Sequence, residues 1–169
     1  MKNIFLIGMP SSGKSTLGKK LAKALHYHFF DTDRQIIWLE GQPIARIFAG
    51  PGEEYFRRAE QRVLKTIKPG QSLVVSTGGG MPCFFDNMAY IRQTGVSVFI
   101  DVPPETLAER MKAHAVADRP LFQQNDPQFL ENLIHKYNIR LPFYRQADVV
   151  LTGTDVSVQE AIKAVGAWL

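Results

Sequence analysis

The stretch from Lys2 to Leu25 constrains this chain more than any other. A short, mostly apolar run, Lys2-Asn3-Ile4-Phe5-Leu6-Ile7, leads into Gly8-Met9-Pro10-Ser11-Ser12-Gly13-Lys14-Ser15. Leu17, Leu21, Ala24 and Leu25 then recur at helical spacing. The β-branched and aromatic residues of the first run read as a buried strand, and the later period as a helix. The loop between them has the spacing G-x-x-x-x-G-K-[ST] of a phosphate cradle. Gly8 and Gly13 allow the tight turn that brings backbone N–H groups up to phosphate oxygens. The partly positive helix N-terminus faces the same anion. Lys14 is expected to reach the β- and γ-phosphates, and the Ser15 hydroxyl to ligate Mg²⁺. Pro10, Ser11, Ser12 and Thr16 complete the expected nucleotide contacts. The competing reading is a chance glycine turn, which the strand and helix on either side oppose. Alone, the loop implies only that a nucleoside triphosphate binds.

Length and composition narrow the class. A chain of 169 residues is expected to form one domain, 1–169, and its 45% hydrophobic and 21% charged fractions are those of a globule. No apolar run approaches a membrane span. The first strand follows Met1-Lys2-Asn3 without room for a signal peptide. The single Cys83 excludes an internal disulfide and a cysteine-based zinc site. These features lead us to expect a cytoplasmic protein with no membrane partner. The net charge of +4 suits either a nucleic-acid surface or a pocket for small anions. No dense Lys/Arg run or aromatic-basic repeat supports a nucleic-acid partner, whereas several arginines stand alone beside motif-like residues.

Strands are expected at about 3–8, 28–31, 71–76, 96–101 and 147–151. Helices are expected at 14–26, 33–40, 43–48, 52–67, 84–93, 104–113, 127–145 and 156–168. This alternation implies an α/β fold, a five-stranded parallel sheet with helices on both faces. Ligands in such sheets bind at the carboxyl ends of the strands.

The strand ends carry the chemistry. Phe29-Phe30-Asp31-Thr32-Asp33 closes the second strand with two carboxylates, which strand periodicity would point the same way. Mg²⁺ held by Ser15 would offset the charge of Asp31, leaving Asp33 to orient an acceptor hydroxyl and take its proton. Asp33 as a simple cap of the helix starting near Arg34 is the alternative. His26 and His28 lack a third ligand nearby and read as ordinary helix-end and strand-edge residues. On the helix after Gly52, Phe56, Ala59, Val63, Leu64 and Ile67 form the apolar stripe. Arg57 and its neighbours lie mostly off it, either as a solvated face with i,i+3 pairing such as Arg57–Glu60 or as a clamp for an anion. Spacing does not choose between them, nor does it for Arg140. Gly78-Gly79-Gly80 place bare backbone at the end of the third strand, where it can approach a ligand. Cys83 has no activating partner in sequence and reads as structural. Asp101 ends the fourth strand as a possible metal ligand, with a turn cap the favoured reading. The segment about 112–125, with Arg119-Pro120, is expected to be a mobile lid or a plain loop. Pro142 is expected to kink its helix or remove a hydrogen bond.

Taken in order, the phosphate loop, Asp31-Thr-Asp33, Gly52-Glu-x-x-Phe56-Arg57-x-x-Glu60, Gly78-Gly79-Gly80, Arg119-Pro-Leu and Arg140-x-Pro-x-Tyr144 resemble shikimate kinase through nearly the whole chain. The resemblance implies the fold of the nucleoside monophosphate kinases, with strand order 2-3-1-4-5, substrate-binding helices at about 33–60 and the lid. It implies transfer of the ATP γ-phosphoryl to the 3-hydroxyl of shikimate, a step toward chorismate and the aromatic amino acids. Asp33 would match the acid that holds and deprotonates the hydroxyl. Arg57 and Arg140 would match the pair that grips the shikimate carboxylate, with Gly78, Gly79 and Gly80 closing on the ring. Arg119 would match the lid arginine on the phosphates, and Arg110 an arginine over the adenine. Ser15 and Asp31 would bind Mg²⁺. A monomer is expected. Met81-Pro82-Cys83-Phe84-Phe85 and Asn125-Asp126-Pro127 depart from the family pattern. A gluconate or nucleoside monophosphate kinase, and a nucleotide-binding protein without kinase activity, are the alternatives.

Overall fold

The computed structural model describes residues 1–114 and 125–169. Arg119 and most of the expected lid lie outside the described residues.

Five parallel strands form one sheet: β1 (Asn3–Ile7), β2 (His28–Asp31), β3 (Leu73–Ser76), β4 (Gly95–Asp101) and β5 (Val149–Thr152). Their order is β2-β3-β1-β4-β5, as expected. Every residue of β1 is buried, as a central parallel strand covered on both faces requires. Asn3 is the polar exception in this strand. Its amide donates to the carbonyls of Lys68 and Thr94, and its carbonyl accepts from Leu73 N, so no polar group is stranded there.

The helices are α1 (Lys14–Leu25), α2 (Thr32–Glu40), α3 (Ile44–Ala49), α4 (Glu53–Thr66), α5 (Asn87–Thr94), α6 (Pro104–Ala113), α7 (Phe129–Tyr144) and α8 (Val158–Val165). Helix α1 packs across β2 and β3 and against α8, while α5 lies on β4 and touches α4. One apolar core surrounds the sheet. A second, smaller cluster of Ile36, Ile44, Ile47, Phe56, Ala59 and Val63 joins α2, α3 and α4 beside β2.

The differences from expectation are local. Strand β3 starts at Leu73 because Ser72 turns through the left-handed region at φ 54°. Residues 81–83, expected within a connection, form a short 3-10 turn, and α5 begins only at Asn87. Asn125-Asp126-Pro127 sets up the start of α7. Asp126 accepts from Gln128 N at 2.9 Å and from the Asn132 side chain at 3.1 Å. Helix α8 begins in a capping box between Ser157 and Glu160. Pro142 sits in the last turn of α7, which continues to Tyr144.

Candidate active site

The phosphate loop leaves β1 at the centre of the sheet. Gly8 adopts φ 144° and Gly13 φ 93°, both in the region that favours glycine. A Cβ on Gly8 would also lie 2.7 Å from the Ile100 carbonyl oxygen. Lys14 is buried, and its Nζ donates to the Gly8 and Met9 carbonyls at 3.0 and 2.7 Å and to Ser12 Oγ at 3.3 Å. The ammonium is thus held at the mouth of the loop.

Three oxygens gather beside it. Asp31 pairs in register with Ser76 across β2 and β3. Ser15 Oγ donates to Asp31 Oδ2 at 2.9 Å and lies 3.0 Å from Ser76 Oγ. This all-oxygen donor set suits a hard divalent cation. Ser76 escaped the sequence reading because only strand register brings it beside Ser15. Asp31 also caps α2, its Oδ1 accepting from Arg34 N at 3.2 Å. The expected alternative cap was Asp33, and the structure corrects this. Strand geometry ends at Asp31 and the helix begins at Thr32, so Asp33 lies in the first turn of α2 and strand periodicity does not relate the two acids. Between them, buried Thr32 Oγ1 accepts from Gly78 N at 3.0 Å and ties α2 to the glycine loop.

That loop runs close to four charged side chains. A Cβ on Gly78 would sit 2.7 Å from Glu60 Oε1 and 2.8 Å from Asp33 Oδ1. On Gly79 it would meet Pro10 Cδ at 2.8 Å and Arg140 Nη1 at 3.1 Å, and on Gly80 it would run into the Arg57 guanidinium. Arg57 is buried on α4, donating to Glu60 Oε2 at 2.7 Å and to Glu53 Oε1 at 3.1 and 3.3 Å. The i,i+3 pair suggested by spacing therefore exists, but within the fold and not on a solvated face. Arg140 is buried on the α7 face shared with Phe129, Leu133 and Tyr144, and its Nη1 reaches Met9 Sδ at 3.9 Å. The Tyr144 hydroxyl donates to the Gly79 carbonyl at 2.6 Å and pins the loop to α7.

Electrostatics follow from burial. Desolvation pushes the Glu60 carboxyl up to about 7; Arg57 and Arg140 oppose the rise and Asp33 adds to it. Burial pulls Arg57 down, but Glu60 and Glu53 outweigh it and leave the guanidinium above its usual value. Burial raises the Cys83 thiol to about 11, which agrees with a structural cysteine. Among the described residues, Glu60 Oε1 has no hydrogen-bond partner although it is buried.

A cleft of about 830 Å³ collects these groups, and every described residue of the expected nucleotide, acceptor and Mg²⁺ sites except Gly8 lines it. Arg110 spans one end, donating to the Ser11 carbonyl at 3.1 Å and to the Thr154 carbonyl. It thereby joins the phosphate loop to the turn after β5, a wall the sequence reading missed. The turn signal Thr152-Gly153-Thr154-Asp155 was present, with Gly153 at φ 144°. Asp101 is engaged elsewhere: its carboxylate accepts from the Tyr137 hydroxyl at 2.8 Å and its carbonyl from Gly153 N at 3.1 Å. It braces β4 against α7, a structural role different from the expected turn cap.

Known proteins resemble this chain in sequence and fold. The family model described as shikimate kinase matches residues 10–169. A shikimate kinase of Clostridium botulinum is 39% identical over 170 residues, covering 99% of this chain and 98% of the relative. The crystal structure of shikimate kinase from Bacteroides thetaiotaomicron superposes with a TM-score of 0.90 at 32% identity, covering 98% of each chain. Shikimate kinase from Acinetobacter baumannii in complex with shikimate gives 0.85 at 31% identity, covering 96% of this chain and 88% of that one. With its phosphate loop, strand order and full-length likeness, the chain belongs to the shikimate kinase family of enzymes.

Proposed function

We infer that the chain acts as one kinase domain that transfers the γ-phosphoryl of ATP to the 3-hydroxyl of shikimate, giving shikimate 3-phosphate and ADP. The observation that carries this reading is the convergence of Asp33, Arg57 and Arg140 on the glycine loop, in the cleft that Lys14 also lines. An acceptor for such a half-site needs a hydroxyl and an anionic group, and shikimate has both.

In this reading the phosphate loop and Lys14 hold the triphosphate, and Arg110 borders the adenine end. Ser15 and Asp31 would hold Mg²⁺, which would supply charge compensation on the phosphates. Arg57 and Arg140 grip the carboxylate, the planar fork of each suiting it. Gly78, Gly79 and Gly80 bound the ring because side chains there would collide with the acids and arginines. Asp33 orients the acceptor hydroxyl and takes its proton as the oxygen bonds to phosphorus and the bond to the β-phosphate oxygen breaks. Arg119 belongs to the lid in this reading. No helix among the described residues is long and apolar enough to cross a membrane, and the enzyme is read as a cytoplasmic monomer.

The test is ADP release by the purified chain with ATP, Mg²⁺ and a panel of shikimate, gluconate and nucleoside monophosphates. Turnover with shikimate is the expected result. Turnover only with another acceptor, or none above background ATP hydrolysis, would overturn the reading.

A further inference from the structure

Phe84 and Phe85 stand just past the glycine loop and the short 3-10 turn that follows it. Phe85 adopts φ 52°, a conformation bulky residues rarely take. The turn sends the two rings apart. Phe85 is half exposed, with the Arg58 guanidinium 5.5 Å from its centroid. Phe84 is half-buried, and the Arg57 Cζ lies over its ring at 4.2 Å. Phe84 belongs to neither apolar cluster of the described residues. The ring therefore has a cation for its neighbour where a core residue would have aliphatic contacts.

Arg57 shows what such a neighbour can do. Its Nε and Nη2 donate to Glu53, and its Nη1 donates to Glu60. Each Nη carries a second proton beyond these bonds, and an Nη1–Nη2 edge that presents two of them is the geometry that meets a carboxylate with two parallel bonds. That edge is useful only if the guanidinium plane is fixed. The two glutamates hold it at its rim; at its face it meets the Phe84 ring at 4.2 Å and, less closely, the Phe56 ring at 5.3 Å. An aromatic face attracts a guanidinium stacked on it, most strongly where water is excluded.

We propose that Phe84 is a positioning residue for the acceptor site, its ring fixing the plane of Arg57 so that the guanidinium edge meets the acceptor carboxylate. The proposal rests on the reading of Arg57 as a carboxylate clamp. Phe84 touches no reacting atom, so its effect falls on acceptor binding.

The experiment is steady-state kinetics of the full chain with Phe84→Leu and Phe84→Tyr, with thermal melting to confirm folding. Phe84→Leu is expected to raise the KM for shikimate about tenfold, or about 1.4 kcal/mol. Its kcat and KM for ATP should stay within about twofold of wild type. Phe84→Tyr keeps the aromatic face and should recover most of the loss. If Phe84→Leu does not fold, Phe84→Met takes its place. A competitive analogue of shikimate with hydroxymethyl in place of the carboxylate separates the two levels. Its Ki should be weaker than that of a carboxylate-bearing inhibitor in wild type and unchanged by Phe84→Leu. Unchanged KM for shikimate in Phe84→Leu, equal loss for the hydroxymethyl analogue, or no recovery in Phe84→Tyr overturns the platform while leaving the clamp intact. Wild type that does not discriminate against the hydroxymethyl analogue overturns the clamp, and the platform with it.

Discussion

Arg57 donates to Glu60 at 2.7 Å where the two side chains are only 5% and 1% exposed. Removing one partner of such a pair leaves a buried charge, so Glu60→Ala is expected to cost about 3–5 kcal/mol of stability. Glu60→Gln keeps the shape and tests the charge. The carboxyl is raised from 4.5 to about 7 by burial, so the folded chain binds its proton more readily than the unfolded chain does. The stability linked to that proton is complete below about pH 4.5 and is lost as pH rises through about 7. Wild type should therefore lose stability between pH 5 and 8 by more than Glu60→Gln, by roughly 1–3 kcal/mol. Thermal or urea melts of both proteins across that range check it; parallel pH profiles would disprove it.

Asp33 and Arg140 should separate by kinetic parameter. If Asp33 is the proton acceptor as proposed, Asp33→Asn is expected to lower kcat by about 10²–10⁴-fold with little change in KM for ATP. Arg140→Ala removes a ground-state contact and is expected mainly to raise the KM for shikimate, by about tenfold or more. ADP-release assays at saturating and limiting shikimate measure both.

Gly80→Ala tests the close approach of loop and clamp. Gly80 has φ −85°, which alanine adopts without strain. The added Cβ instead meets the Arg57 guanidinium, with Cζ at 2.8 Å. The variant should fold normally, keep its KM for ATP, and show a KM for shikimate raised about tenfold. A KM like that of wild type would mean that Arg57 has room to move or does not meet the acceptor.

Asp31 caps α2 and, in the proposed reading, holds Mg²⁺, and one substitution divides these tasks. Asparagine caps a helix as well as aspartate does, so Asp31→Asn should leave the melting temperature within about 2 °C. It removes the charge beside Ser15 Oγ. The Mg²⁺ concentration for half-maximal activity should rise by roughly 3–10-fold. Titration of activity with Mg²⁺ after treatment with a chelator measures it. Unchanged Mg²⁺ dependence would place the ion elsewhere.

Much of this site lay open in sequence because some of its parts are local. The phosphate loop is one unbroken stretch whose strand, glycines and helix each carry their own signal. The order of the strands followed from the resemblance, and the register then agreed. The two arginines proposed as a clamp were different. Arg57 and Arg140 sit on helices with partly polar faces, and nothing in the spacing says which polar face turns inward. Asp31 and Asp33 misled in a smaller way: a strand rule was applied across a boundary that falls between them, so the cap went to the wrong acid. Phe84 was visible only as a departure, and its contact with Arg57 appears once the turn at Phe85 is folded.

By itself, the sequence determined the alternating fold, the nucleotide loop and the set of groups available for an anionic acceptor. Those properties rest on periodicity and on short contiguous motifs, which act over one element at a time. The tertiary structure decided which polar side chains are buried, that Glu60 is held beside Arg57 near neutral pKa, and that Gly78, Gly79 and Gly80 lie against acids and arginines from three helices. Those are packing outcomes between residues far apart in the chain. Desolvation and close approach exist only after the helices have docked.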